Sequence, residues 1–380
     1  MATQKTVGPP ASSASPVPAV EFAQISSARD AAGQLLTLGF DGTRYTSSLG
    51  SWFKKFRPGG VILFLRNIET SSQTAALICD LKKLSEDVTG LPLIVAVDQE
   101  GGRVTRLPDD FSAFMSGRYG ASYAGVKDGF PTARALGEGG SLDHTEEIYR
   151  LMGKVLGSLG FNLDYAPVLD LDTNEGNSVI ADRSFGREAD KVSQLGRSAI
   201  RGLRKSGMLT CCKHFPGHGG VSLDSHEQLP VDERSARRFR SAEFLPFGEA
   251  VEEGIEFVMT AHIVYPAFDD KYPATLSRKI ITDLLRDEIR FNGVIVSDDM
   301  DMKAVTSHFA DDEAVRLALL AGVDNLLVCH NGPRQWTVYK TALRLIDEGA
   351  LSEGEVKNRL NRLLEVKRKV LSCESQEGAH

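Results

Sequence analysis

Between residues 213 and 226 the chain concentrates side chains able to hold a ligand or move a proton. The run Lys213-His214-Phe215-Pro216-Gly217-His218-Gly219-Gly220 is followed closely by Asp224-Ser225-His226. Residues two apart in extended backbone point the same way, so the Asp224 carboxylate can hold one imidazole nitrogen of His226 and leave the other facing a substrate. The same spacing also fits two solvated loop residues; Lys213 and His214 just upstream weigh against that. Further along, Asp298-Asp299 follows the apolar run 293–296. A carboxylate there can act as nucleophile, base or metal ligand, or can cap the next helix. Arg106, Arg183 and Lys213 offer charge and N–H donors to a ligand rich in hydroxyls, or one with a carboxylate, phosphate or amide oxygen. They also fit ordinary salt bridges. His214 and His218, with Asp224 and His226, raise a zinc reading. Pro216, Gly217 and Gly219 argue against the helix that a His-x3-His ligand pair needs, and no cysteine pair stands at metal spacing. No metal and no cofactor are expected.

These groups act together only if the fold gathers them. Residues 207–212 form a short apolar run opened by glycine, which reads as a buried strand ending in the Lys213 loop. Similar runs occur at residues 34–40, 60–64, 91–97, 161–171, 257–262, 293–297 and 325–329. Helical spacing separates most of them, at 70–87, 148–159, 190–205, 234–253, 280–289 and 313–320, and two more helices at 336–346 and 353–370 end the chain. Pro246 is expected to kink or restart the helix at 234–253. Residues 109–141, rich in Gly, Ser and Ala, read as an elaborated loop. Eight buried strands alternating with helices predict a single (β/α)8 barrel of the TIM type. The rival, an open doubly wound sheet, fits less well because Gly101-Gly102 lacks the third glycine of a dinucleotide loop. In a barrel the residues just past each strand meet on one rim. Asp98, Arg106, Arg183, Lys213, His214, Asp224, His226, His262 and Asp298 then become one constellation.

Composition bounds the partners. A net charge of -7 over 380 residues argues against nucleic acid. No apolar stretch approaches the roughly 18 residues of a membrane span. Five cysteines, two adjacent as Cys211-Cys212, make no disulfide framework and suit a reducing, cytoplasmic setting. Residues 1–20, rich in Pro, Ser and Ala, lack the apolar core of a secretory signal and read as a flexible tail, as do residues 372–380. The barrel is expected over residues 21–371, as a monomer or weak homodimer. On residue types alone the chain reads as a hydrolase or transferase for a polar ligand, and the choice between them stays open.

Several blocks, in order, carry a resemblance. They are residues 60–64 with Arg66-Asn67; residues 97–104 with Arg106; residues 162–168; Asp182-Arg183-Ser184-Phe185-Gly186; residues 213–219; Asp224-Ser225-His226; Thr260-Ala261-His262; and Ser297-Asp298-Asp299-Met300. Together they resemble the glycoside hydrolase family 3 β-N-acetylhexosaminidases of the NagZ type, over residues 30–345. The resemblance implies Asp298 as catalytic nucleophile and His226 as general acid/base oriented by Asp224. It implies Asp98, Arg106, Arg183, Lys213 and His214 around an N-acetylglucosamine unit. The implied substrates are N-acetylglucosamine-containing glycosides, such as muropeptide or chitin fragments. Family 3 β-glucosidases resemble the barrel but lack such an Asp-x-His, and commonly use a second domain for which this chain has no length left. A phosphorylase, with phosphate in place of water, and a non-catalytic sugar-binding protein are the alternatives. Residues 111–140 exceed what compact bacterial members have and are expected to reshape the rim.

Overall fold

The computed structural model describes residues 25–119, 129–222, 224–225, 227–330 and 332–377. The expected tail at 1–20 and His226 lie outside the described residues. Eight short strands form one parallel sheet: β1 (Leu36–Leu38), β2 (Gly60–Ile62), β3 (Ile94–Val97), β4 (Leu163–Asp164), β5 (Leu209–Phe215), β6 (Phe257–Thr260), β7 (Val294–Val296) and β8 (Leu326–Val328). Strands consecutive in this order are neighbours, and β8 returns to β1 with Leu36 opposite Leu326 and Leu38 opposite Val328. Between β7 and β8 a bridge joins Val296 to Asn325, and the Ser297 N–H donates to the Asn325 carbonyl at 3.0 Å. The sheet is thus a nearly closed barrel, as expected. Every residue of the eight strands is buried. Packed side chains inside the barrel and helices outside it cover both faces, which is why these strands read as continuous apolar runs.

The helices are delimited by local chemistry. Thr70 accepts from the Gln73 N–H at the start of Ser71–Thr89, and the Gln73 side chain returns to the Thr70 N–H, a reciprocal cap. Ser141 caps Leu142–Leu159, which stops at Gly160, where φ of 98° favours a residue without a β-carbon. The final helix, Glu353–Glu377, runs beyond residue 371 and packs under the N-terminal mouth of the barrel. There the Lys367 ammonium donates to the carbonyls of Gly59 and Pro92, just ahead of β2 and β3. No helix among the described residues is long and apolar enough to cross a membrane.

Two segments differ from the sequence reading, and at a third, one of two alternatives holds. Within 109–141 the chain forms two helices, Phe111–Tyr119 and Ala133–Gly139, where a loop was expected. Their periodicity is weak because a few buried contacts suffice: Phe111 stacks on Phe130, with Met115, Ala133 and Leu136 buried beside them. The strand expected over 161–171 shrinks to Leu163–Asp164. Pro167 has no N–H to give the ladder; the Ala166 carbonyl still accepts from the Cys211 N–H at 3.1 Å, and the pairing returns as the single Val168–Lys213 bridge. Around Pro246 the expected restart is observed: a wide π turn at Phe239–Glu243 precedes the helix Phe244–Glu252, whose first turn holds Pro246. Pro246 cannot donate back to the preceding turn, and the helix is loosened there.

Candidate active site

The C-terminal ends of the strands converge on a cavity of about 560 Å³. From β3 come Asp98 and Glu100, and from β5 come Lys213 and His214. Arg183 arrives on a short 3-10 turn, Ala181–Arg183, after β4. Asp298 and Asp299 follow β7, while Asp224 and Ser225 reach in from the loop after β5. The expected β5 loop begins later than the sequence suggested. The strand continues to Phe215, so Lys213 and His214 sit on rigid, buried backbone. Beyond it, Gly219 lies so close to the Leu171 carbonyl that a β-carbon would stand 1.7 Å from the oxygen, so only glycine fits.

Charges alternate along one wall. The Lys213 ammonium lies 2.7 Å from Asp98 and 2.6 Å from Glu100, and Glu100 receives two N–H groups of Arg183 at 2.7 and 2.8 Å. Lys213 is only 2% exposed and Glu100 5%, so each charge depends on its neighbours. Burial raises the Glu100 pKa, but Arg183 and Lys213 outweigh it and hold the carboxyl well below the usual range. Burial works against the Lys213 charge in the same way, and Asp98 and Glu100 outweigh it, so the ammonium is retained. A wall of fixed, paired charges suits a neutral ligand rich in hydroxyl and amide groups.

Behind this wall lies Asp170, fully buried. One carboxylate oxygen accepts from His214 Nδ1 at 2.6 Å, and the other accepts from the backbone N–H of His218 at 2.6 Å. Since a carboxylate can only accept, His214 carries its hydrogen on Nδ1 and turns Nε2 toward Arg183, 3.5 Å away. Burial raises the Asp170 pKa, but His214 and His218 bring it below the ordinary value. Gln99 braces the β3 turn: its side-chain oxygen accepts from Thr105 Oγ1 at 3.0 Å and from the Arg106 N–H at 2.8 Å.

On the opposite side Asp298 Oδ1 accepts from the Asp299 N–H at 2.8 Å. Asp299 turns into a hydrogen-bonded corner, accepting from the N–H groups of Asp301 and Cys329, both at 3.0 Å. Burial, then the nearby Asp301 charge, push its pKa up to about 6. Asp299, Asp301 and His330 offer ligand atoms within 4.8 Å of one another, an arrangement of metal-ligating types that the sequence reading did not single out. Arg334, 3.1 Å from Asp301, already balances part of that charge.

Seven of the nine residues expected on this rim, Asp98, Arg106, Arg183, Lys213, His214, Asp224 and Asp298, line this cavity. Another, His226, is outside the described residues. His262 does not line it; its ring is buried behind, 3.0 Å from the Asp299 carbonyl and 2.8 Å from Thr275 Oγ1. Glu100 and Asp170 were not assigned from sequence. Glu100 could have been, since it stands two residues from Asp98 on extended backbone. Asp170 carried no such signal, because only the irregular return of the chain after Pro167 brings it under His214.

A nearly closed parallel barrel with a carboxylate-rich, charge-balanced cavity at its C-terminal mouth is the architecture of an enzyme acting on polar small molecules. The chain belongs to glycosyl hydrolase family 3: the family's N-terminal domain model matches residues 27–366. It is 36% identical over 273 residues to a β-hexosaminidase of Nitrosomonas eutropha, covering 72% of this chain and 74% of that protein. Among solved structures, a family 3 β-N-acetylglucosaminidase from a Paenibacillus species superposes with a TM-score of 0.83 at 35% identity, over 90% of this chain; the match spans 63% of that longer chain. A β-N-acetylhexosaminidase from Beutenbergia cavernae gives 0.77 at 28% identity, over 90% of this chain and 98% of its own.

Proposed function

We propose that the protein is a retaining exo-β-N-acetylglucosaminidase, removing terminal non-reducing N-acetyl-β-D-glucosamine from glycosides such as muropeptide or chitin fragments. The observation that carries the reading is that Asp298 and Asp224 line one cavity with the Asp98–Lys213–Glu100–Arg183 wall. The likeness to named β-hexosaminidases supports the choice of sugar.

In this reading the wall receives the sugar. Asp98 accepts from ring hydroxyls, while Lys213, Arg183 and Arg106 donate to its oxygens. The Asp298 carboxylate attacks the anomeric carbon as the glycosidic C–O bond breaks, and His226 gives its proton to the departing oxygen. A covalent glycosyl-aspartate results. Water then attacks the same carbon, His226 takes its proton, and Asp298 is released. An imidazole suits both steps because its pKa lies near working pH, and Asp224 holds its tautomer and stabilises the imidazolium.

A fluorinated analogue that retains the acetamido group tests the nucleophile. The expected result is a covalent adduct on Asp298, located by mass spectrometry of the digested protein. An adduct on Asp299 or Glu100, or none with the sugar's own carbonyl oxygen acting instead, would overturn it. For the acid role, His226→Ala is expected to slow a poor leaving group by roughly 100-fold or more relative to dinitrophenolate, which departs unprotonated. Equal losses would remove His226. Formation of sugar phosphate when phosphate is added would make the enzyme a phosphorylase.

A further inference from the structure

One buried titratable group on the cavity wall has no part in the scheme above. His218 is 1% exposed, and its ring lies 5.6 Å from that of His214. Its Nε2 is 3.0 Å from the hydroxyl oxygen of Ser225, while its Nδ1 is buried with no hydrogen-bond partner among the described residues. Ser225, also 1% exposed, is the middle residue of Asp224-Ser225-His226, and its carbonyl accepts from the Ala304 N–H at 3.2 Å. Burial, then the neighbouring His214, bring the His218 pKa down to about 4, so the ring is neutral at ordinary pH. A neutral imidazole has one N–H and one lone pair. Burying an N–H without a partner is the rarer and costlier arrangement, so the hydrogen belongs on Nε2 and is donated to Ser225 Oγ.

This contact has a geometric consequence. Past the Gly219 turn the loop is first held by Asn174, which donates to the Gly220 carbonyl at 3.1 Å and to the Ser222 hydroxyl oxygen at 2.9 Å. Ser225 ties it down in two directions. Its hydroxyl is held by His218, on the β5 side, and its carbonyl by Ala304, in the segment following Asp298-Asp299. The middle of the triplet is thereby fixed between the element carrying Lys213 and the element carrying Asp298.

We propose that His218 is a positioning residue for proton transfer: its Nε2–H holds Ser225, and through Ser225 it sets where the Asp224 carboxylate stands in the cavity. The proposal rests on the reading of His226 as general acid/base. A proton donor must stand within hydrogen-bond reach of the atom it protonates, and a displacement of about 1 Å can cost roughly 100-fold.

The test measures kcat/KM on aryl N-acetylglucosaminides whose leaving groups run from dinitrophenol to phenol. The variants are Ser225→Ala, Ser225→Thr, His218→Phe, the double variant His218→Phe/Ser225→Ala, and His226→Ala for reference. Ser225→Ala and His218→Phe are expected to lose roughly 10- to 100-fold more on the phenyl than on the dinitrophenyl substrate. Ser225→Thr, which keeps the hydroxyl, is expected to restore most of that difference. The double variant is expected to lose no more than the worse single one. Equal losses on both substrates, or additive losses in the double variant, would overturn the positioning role. Ser225→Ala removes a single oxygen and decides the matter alone should His218→Phe fail to fold. If His226→Ala shows the steep leaving-group dependence and Ser225→Ala does not, the positioning role falls and the general acid stands. If His226→Ala shows none, both fall.

Discussion

Replacing Glu100 by Gln keeps the shape of the side chain and removes the charge that bridges Lys213 and Arg183. The side chains of Glu100, Lys213 and Arg183 are 5, 2 and 12% exposed, so water does little to replace the lost anion. Asp98 remains 2.7 Å from Lys213, which leaves Arg183 as the cation without a full partner. Removing one member of such a buried pair costs about 3–5 kcal/mol. With an unfolding entropy of about 2.1 cal/mol/K per residue, a chain of this length has about 0.8 kcal/mol/K in all, so the thermal midpoint is expected to fall by about 4–6 °C at pH 7. The pH dependence follows from the direction of the shift. The folded pKa of Glu100 lies below the unfolded value of about 4.3, so its stabilisation is complete above that pH and is lost as the pH falls further. Calorimetric midpoints of the two proteins from pH 7 to pH 3 are therefore expected to differ most at pH 7 and to converge below pH 4. Midpoints within 1 °C at pH 7, or curves that run parallel into acid, would refute the account of this wall.

Lys213→Ala is expected to cost about 2–4 kcal/mol in transition-state binding, or roughly 30- to 1000-fold in kcat/KM on an aryl N-acetylglucosaminide; an unchanged value would remove the contact with the sugar. Lys367 is fully buried beneath the barrel, where burial lowers its pKa to about 7. The unfolded chain then binds more protons between about pH 7 and 10, so wild-type stability rises with pH across that window. Lys367→Met removes that titration and is expected to flatten the rise, and an unchanged slope would count against it. Gly219→Ala must displace either the turn or the Leu171 carbonyl. It is expected to lower the midpoint and kcat/KM together, as calorimetry and steady-state kinetics would show; activity at the wild-type level would mean that the turn adapts freely.

Much of this protein is written in its local sequence. Runs such as Val61-Ile62 and Val294-Ile295-Val296 announce strands covered on both faces, because a parallel strand inside a ring of helices has no polar side. The residues just past them, Asp98, Lys213 and Asp298, read as one rim once the barrel is recognised, since every strand ends at the same mouth. The tertiary structure decided what lies between those residues. It set Glu100 between Lys213 and Arg183, put Asp170 beneath His214, and drew Ser225 onto His218, pairings whose members lie 83, 44 and 7 residues apart along the chain. It also moved His262 behind Asp299, although both follow strands. The physical reason is that periodicity reports which face of an element is buried, whereas the pairing of charges depends on loops closed by single contacts: a proline without an N–H at 167, and a glycine packed against a carbonyl at 219.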